Sequence, residues 1–91
     1  MSYATWRMSF PGAGVYTSST PAGVLRSLSK RQWTEEDRSN IKAALAWRAY
    51  ILRDATVDPS LDDEDFLVEL AHYGIVELSA YDKGRQEWLT F

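Results

Sequence analysis

Few side chains in this sequence have the type and spacing to do chemistry. His72 is the single histidine, and there is no cysteine. General acid–base work or metal binding at His72 would need partners at ligand spacing, and the chain offers none. Its place on a helical segment puts it on an outer face. Ser18, Ser19 and Thr20 carry hydroxyls, but no base stands beside them, and with Pro21 they read as a loop and a helix cap. Gly12-Ala13-Gly14 lacks the third glycine and the following helix of a dinucleotide fingerprint. Asp58, Ser60, Asp62, Glu64 and Glu69 copy the ligand spacing of a calcium loop. Asp63 stands where that loop's sharp turn needs glycine, and Pro59 stands second. The remaining carboxylates, Asp62 to Asp65, sit where acids serve a helix dipole. No catalytic set emerges, so the expectation is a protein that is not an enzyme and uses no cofactor or metal. The missing thiols exclude disulfide scaffolds, thiol catalysis and cysteine-ligated metals.

The chain has 91 residues, 45% of them apolar and 25% charged. That is one domain's worth, read as a single domain over 1–91, with a globular composition. Met1–Phe10 has no apolar stretch of the signal-peptide kind, and no apolar run is long enough to span a bilayer. A cytoplasmic protein without membrane contact is expected. Net charge is −3, but it is unevenly spread. Residues 1–53 carry eight basic and three acidic residues, and residues 54–91 carry two basic and ten acidic. The two halves can neutralise each other by packing, or either can meet a charged partner.

Ala4, Trp6, Met8 and Phe10 alternate with polar residues, which predicts a half-buried strand ending at Pro11-Gly12. Val15-Tyr16-Thr17 is a candidate return strand. Thr20-Pro21 opens a helix with Val24, Leu25 and Leu28 inward, ending near Arg31–Trp33. Thr34-Glu35-Glu36-Asp37 opens a longer one, running to Asp54. On that helix Ile41, Ala44, Leu45, Ile51 and Leu52 share an apolar arc flanked by Trp47, with Arg48 near its middle; Arg38, Lys42 and Arg53 form a separate stripe. Arg48 there must pair with an acid, snorkel or face a partner. Ser60 with Asp63 marks a third helix, with Phe66, Leu67, Leu70, Ala71 and Tyr73 inward and Gly74 as its stop. Ile75–Tyr81 and Arg85–Phe91 form a hairpin around Asp82-Lys83-Gly84. The fold class is α+β: about three helices packed on a small antiparallel sheet formed by the N-terminal strand and the C-terminal β-hairpin.

The segment from Asp62 to Phe91 resembles the helix-plus-wing half of a winged-helix domain. The residues that carry the likeness are Leu67, Leu70, Gly74, Ile75, Val76, Glu77, the loop Asp82–Gly84 and Arg85–Phe91. The resemblance implies a helix entering the major groove by its N-terminus, with wing contacts from Lys83 and Arg85. At that N-terminus this chain places Asp62, Asp63, Glu64 and Asp65, the reverse of what phosphate contacts require.

The expectation drawn from these residues is a small binding protein that docks on a larger macromolecule through a charged face. Regulators and inhibitors of nucleic-acid-handling machinery fit this description as a class. A protein partner ranks first, nucleic acid second, and self-association through an exposed apolar patch or the terminal strand is a third option. Two faces compete. The acidic one is Asp58, Asp62, Asp63, Glu64, Asp65 and Glu69. The basic one is Arg38, Lys42, Arg48 and Arg53, with Trp47 as anchor and Arg26, Lys30, Arg31 and Trp33 nearby in sequence.

Overall fold

The N-terminal alternation is realised as β1, Thr5–Phe10, with Trp6, Met8 and Phe10 buried and Arg7 exposed. The computed structural model describes residues 3–12, 14–30, 34–36 and 40–91. Gly12 and Gly14 have φ of 82° and 99°, which only glycine adopts freely, and the chain returns as β2, Gly14–Ser18. Near the C-terminus, β3, Glu77–Asp82, and β4, Glu87–Thr90, form the hairpin. The sheet has four strands in the order β2-β1-β3-β4, every neighbour antiparallel. The short return strand is therefore a full partner of β1 rather than a loop. Register places Met8 opposite Tyr16 on one side and Leu78 on the other, with Trp6 opposite Ala80. These residues line one face, and the helices cover it.

Helix α1, Pro21–Ser29, starts as its sequence dictates. Thr20 Oγ1 accepts from the Gly23 N–H at 3.0 Å, and Pro21 opens the first turn. Val24, Leu25 and Leu28 are buried, and the helix stops at Ser29, before the Arg31–Trp33 segment, which lies outside the described residues. A Cβ on Gly23 would fall 1.9 Å from Ser18 Oγ and 2.8 Å from Ser18 Cβ. Alanine at 23 should gain about 1 kcal/mol of helix propensity. Forcing the end of β2 away from α1 costs about 1–3 kcal/mol, so Gly23→Ala should lower the urea midpoint. A raised midpoint would show that strand and helix separate freely.

The long helix begins later than its first acidic signal. Glu35 and Glu36 are helical, but α2, Ile41–Arg53, has its own start, where Asn40 Oδ1 accepts from the Ala43 N–H at 3.2 Å. Asn is as good a cap as Thr and stands directly before the apolar run. Asp37 and Arg38 lie outside the described residues. The helix ends at Asp54, left-handed at φ 52°, whose N–H donates to the Tyr50 carbonyl.

Helix α3, Asp63–His72, is capped by Asp62 rather than Ser60. Asp62 Oδ1 accepts from the Asp65 N–H at 2.8 Å, while Ser60 is held in a turn by Asp58. Its end is a Schellman motif: Gly74, at φ 75°, donates to Ala71 and Ile75 donates to Leu70. Phe66, Leu67 and Leu70 are buried. Tyr73, expected inward, is exposed because it sits past the last helical residue, where the chain turns out.

The hairpin loop is longer than expected. Asp82 pairs with Glu87, so the reversal uses residues 83–86, and the left-handed residue is Gln86 rather than Gly84. Buried Asp82 organises it: Oδ1 accepts from the Gly84 and Arg85 N–H groups at 2.9 and 3.3 Å.

Candidate functional site

Helix α2 reads IKAALAWRAYILR, apolar at ten of thirteen positions. A helix that is apolar all round has no single face to hide, and a domain this small cannot cover every side of it. Leu45 and Ala49 are buried, and Ile41, Ala44 and Ala46 are half-buried against the core. Four large residues point away. Trp47 is 61% exposed, Tyr50 53%, Ile51 59% and Leu52 59%.

Of the expected inward arc, Leu45 is buried and Ile41 and Ala44 pack against the core, while Ile51 and Leu52 are exposed. The reason is volume. Phe66, Met8, Leu28, Leu67 and Leu70 already fill the space beneath. They leave room for Leu45 and Ala49 at the centre of the inward side, and Ile51 lies about 140° of helical turn from that centre. The signal available in the sequence was the absence of a polar side, not the period of the apolar residues.

The outer side of α2 has internal order. The rings of Trp47 and Tyr50 stack with centroids 5.8 Å apart and planes at 22°. With about 100° of turn per residue, Trp47, Tyr50 and Ile51 share one stripe, Arg48 falls beyond Ile51 on one edge, and Arg53 falls beyond Tyr50 on the other. The Arg48 guanidinium lies 5.7 Å over the Phe10 ring of β1. Arg53 is exposed at the helix end and donates to the neighbouring Leu52 carbonyl at 3.4 Å.

Lys42 does not share that surface. It faces inward, 3.2 Å from an Asp63 oxygen, donating to the Leu61 carbonyl and lying 5.4 Å over the Phe66 ring. It fastens the connector and the start of α3 to α2. The acidic face is likewise drawn into local bonds. Asp58 accepts from the Ser60 N–H and hydroxyl at 2.8 and 2.7 Å, Asp62 caps α3, and Asp63 pairs with Lys42. Glu64 and Asp65 are exposed in the first turn, and Glu69 is half-buried.

The Ser60 hydrogen bonds, side chain first, hold the Asp58 carboxyl below its ordinary value. A lowered folded value means that this turn stabilises the fold above the unfolded value of about 3.9, and that the contribution fades as pH falls through the lowered value. The stability gap between the natural chain and Asp58→Ala should therefore narrow from pH 5 towards pH 2 in urea titrations. A gap independent of pH would exclude the ionised form as the turn's acceptor.

A second surface lies on the sheet face opposite the helices. Arg7 rests 4.4 Å over the Trp88 ring, Tyr81 lies 5.5 Å from Trp88, and Trp88 is 43% exposed. Beside them is a shallow hollow of about 380 Å³, lined by Arg7, Ser9, Val15, Glu77, Leu78, Ser79 and Thr90. Arginine and glutamate balance there, so the hollow has no net charge preference. Of the wing residues, Lys83 is exposed, and Arg85 stands 3.9 Å from both Asp82 and Glu87. His72 is exposed, edge-on to Tyr73 at 5.3 Å.

Fold and surfaces together define a small α+β domain with one helix left apolar on its outer side. No family model, curated protein or solved structure matches the chain. No helix among the described residues is long and apolar enough to cross a membrane.

Proposed function

We propose that this protein is a non-enzymatic docking module that binds a larger protein through the outer side of α2. The observation that supports it is the exposure of Trp47, Tyr50, Ile51 and Leu52 along one helix. Trp47, Tyr50 and Ile51 form one stripe, with Leu52 beyond Arg48, and contiguous exposed apolar surface of this kind marks interaction sites. Tryptophan, tyrosine and arginine are the residue types enriched where interfaces concentrate their energy. Of the two charged faces, the reading favours the one anchored by Trp47. Asp58, Asp62 and Asp63 of the other are engaged in turn, cap and ion pair. Action as a regulator of nucleic-acid-handling machinery is one setting for such a module, with the machinery's protein surface as the target.

Photo-crosslinking from defined positions tests this in cells of the native source. A photoreactive residue at Ile51 should trap a discrete protein, and the same residue at Thr17, exposed on the other side of the sheet, should not. Equal trapping from both positions, or trapping from Thr17 alone, would contradict the proposal.

A further inference from the structure

We infer that the β4 edge of the sheet pairs two copies of this chain, β4 running antiparallel to β4 about a two-fold axis at Leu89. The inference is independent of the α2 reading and starts from the backbone. β4 is the last strand of the sheet order. The Phe91 N–H donates to the Leu78 carbonyl at 2.9 Å, and the register sets Leu89 opposite Ala80 and Glu87 opposite Asp82. Bonding alternates along an antiparallel pair, so residues 87, 89 and 91 turn their N–H and C=O groups to β3. Trp88 and Thr90 turn theirs to the open edge. Such an edge is a template for another strand unless lysine, proline or a bulge blocks it, and β4 reads EWLT. Its one charge, Glu87, stands at its start with Arg85 3.9 Å away.

What singles out a second copy is that this edge complements itself in one register. Centred on Leu89, Trp88 of each copy faces Thr90 of the other, and both outward-facing residues find partners, with two bonds in each of two pairs. A register centred on Trp88 would need Gln86 to pair with Thr90, but Gln86 is left-handed at φ 54° and precedes the strand. A register centred on Thr90 would set Trp88 beyond the β4 of the second copy. The Leu89 register also opposes no like charges, since Glu87 stands beside Phe91 of the second copy. Side chains add to it. Leu89 and Phe91 lie on the helix-covered side of the sheet, opposite buried Ala80 and Leu78. Phe91 stacks on Trp6 at 5.7 Å and is still 40% exposed. Pairing sets Leu89 against Leu89, flanked by both Phe91 rings.

The contact is one strand wide and therefore reversible, with half-dissociation expected between about 10 and 100 µM. Sedimentation equilibrium of the full chain from about 5 to 500 µM should show the mass rising from one chain to two. The Thr90 N–H takes no part in the β3–β4 ladder, and proline is tolerated at an edge facing solvent. Thr90→Pro should therefore keep the fold, checked by circular dichroism, and weaken pairing at least about tenfold. Leu89→Cys introduces a thiol into a chain that has none. On the axis the two Cα atoms would lie about 4.5 Å apart, within disulfide reach, so mild oxidation should link the copies. Leu52→Cys, exposed on α2, should not link.

A chain that stays monomeric to the top of that range would overturn the inference, as would a dimer that a folded Thr90→Pro leaves at full strength. If Thr90→Pro loses the fold, the link at position 89 decides alone. Linking at position 52 instead of 89, with the dimer lost in Ile51→Glu, would overturn the edge and seat the second copy on α2. A dimer weakened by Thr90→Pro but not linked through Leu89→Cys would overturn the Leu89 register.

Discussion

Trp47→Ala combined with Ile51→Glu should abolish partner binding while leaving the fold intact. Each anchor at the centre of such a face is worth about 2 kcal/mol or more, so each substitution should weaken binding by about 30-fold or more. Stability should hardly move, because both side chains are more than half exposed. Within the fold, the double substitution chiefly removes the stacking of Trp47 on Tyr50, which should cost less than about 1 kcal/mol. The checks are co-purification of the protein trapped from position 51 and the urea midpoint of the same samples. Normal binding would exclude these residues from the interface, and unfolding would show that they serve the fold.

Phe66→Ala should have the opposite profile. Phe66 is fully buried on α3, under the half-buried Lys42 that fastens α2 to the connector. Truncating a buried phenylalanine costs about 3–5 kcal/mol through lost transfer energy and the cavity left behind. A domain of this size has a total stability near the lower end of about 5–15 kcal/mol, so the variant should be largely unfolded at 37 °C. Circular dichroism against temperature measures this directly. A loss under about 1 kcal/mol would mean that Phe66 is not at the centre of the core.

The contrast between these aromatics marks where the sequence was legible. Phe66 sits in a helix with one apolar side and a polar remainder, so its periodicity places it inward. β1 is equally clear, since Trp6, Met8 and Phe10 alternate with Thr5, Arg7 and Ser9. Thr20-Pro21 and Gly74-Ile75 mark boundaries because caps are local chemistry, decided within a turn. The α+β arrangement followed from joining these elements.

What was not legible depended on competition between surfaces. In α2 more than one side is apolar, and helical periodicity cannot rank a side centred on Leu45 and Ala49 against one centred on Trp47. The choice was made by the volume already occupied by α1 and α3, a property of the assembled core. The same limit hid the role of Lys42, which shares a sequence stripe with Arg38 and Arg53 but turns inward to Asp63 and Leu61. It also hid the platform of Arg7 and Trp88, which come from opposite ends of the chain and meet only through strand order. The acidic run at 62–65 looked like a surface for a partner. In the fold Asp62 and Asp63 cap a helix and hold a lysine, leaving Glu64 and Asp65 outward.

Hydroxyl-radical footprinting tests the central claim most directly, by asking whether the outer side of α2 is covered where the protein works. The purified chain and the chain in fresh lysate of its native source would be labelled side by side and read by mass spectrometry. Docking through α2 predicts strong protection of Trp47, Tyr50 and Ile51 in the lysate, with Trp88 and Tyr81 labelled equally in both samples. Unchanged labelling of Trp47 together with protection of Trp88 would contradict it and move the interface to the open face of the sheet.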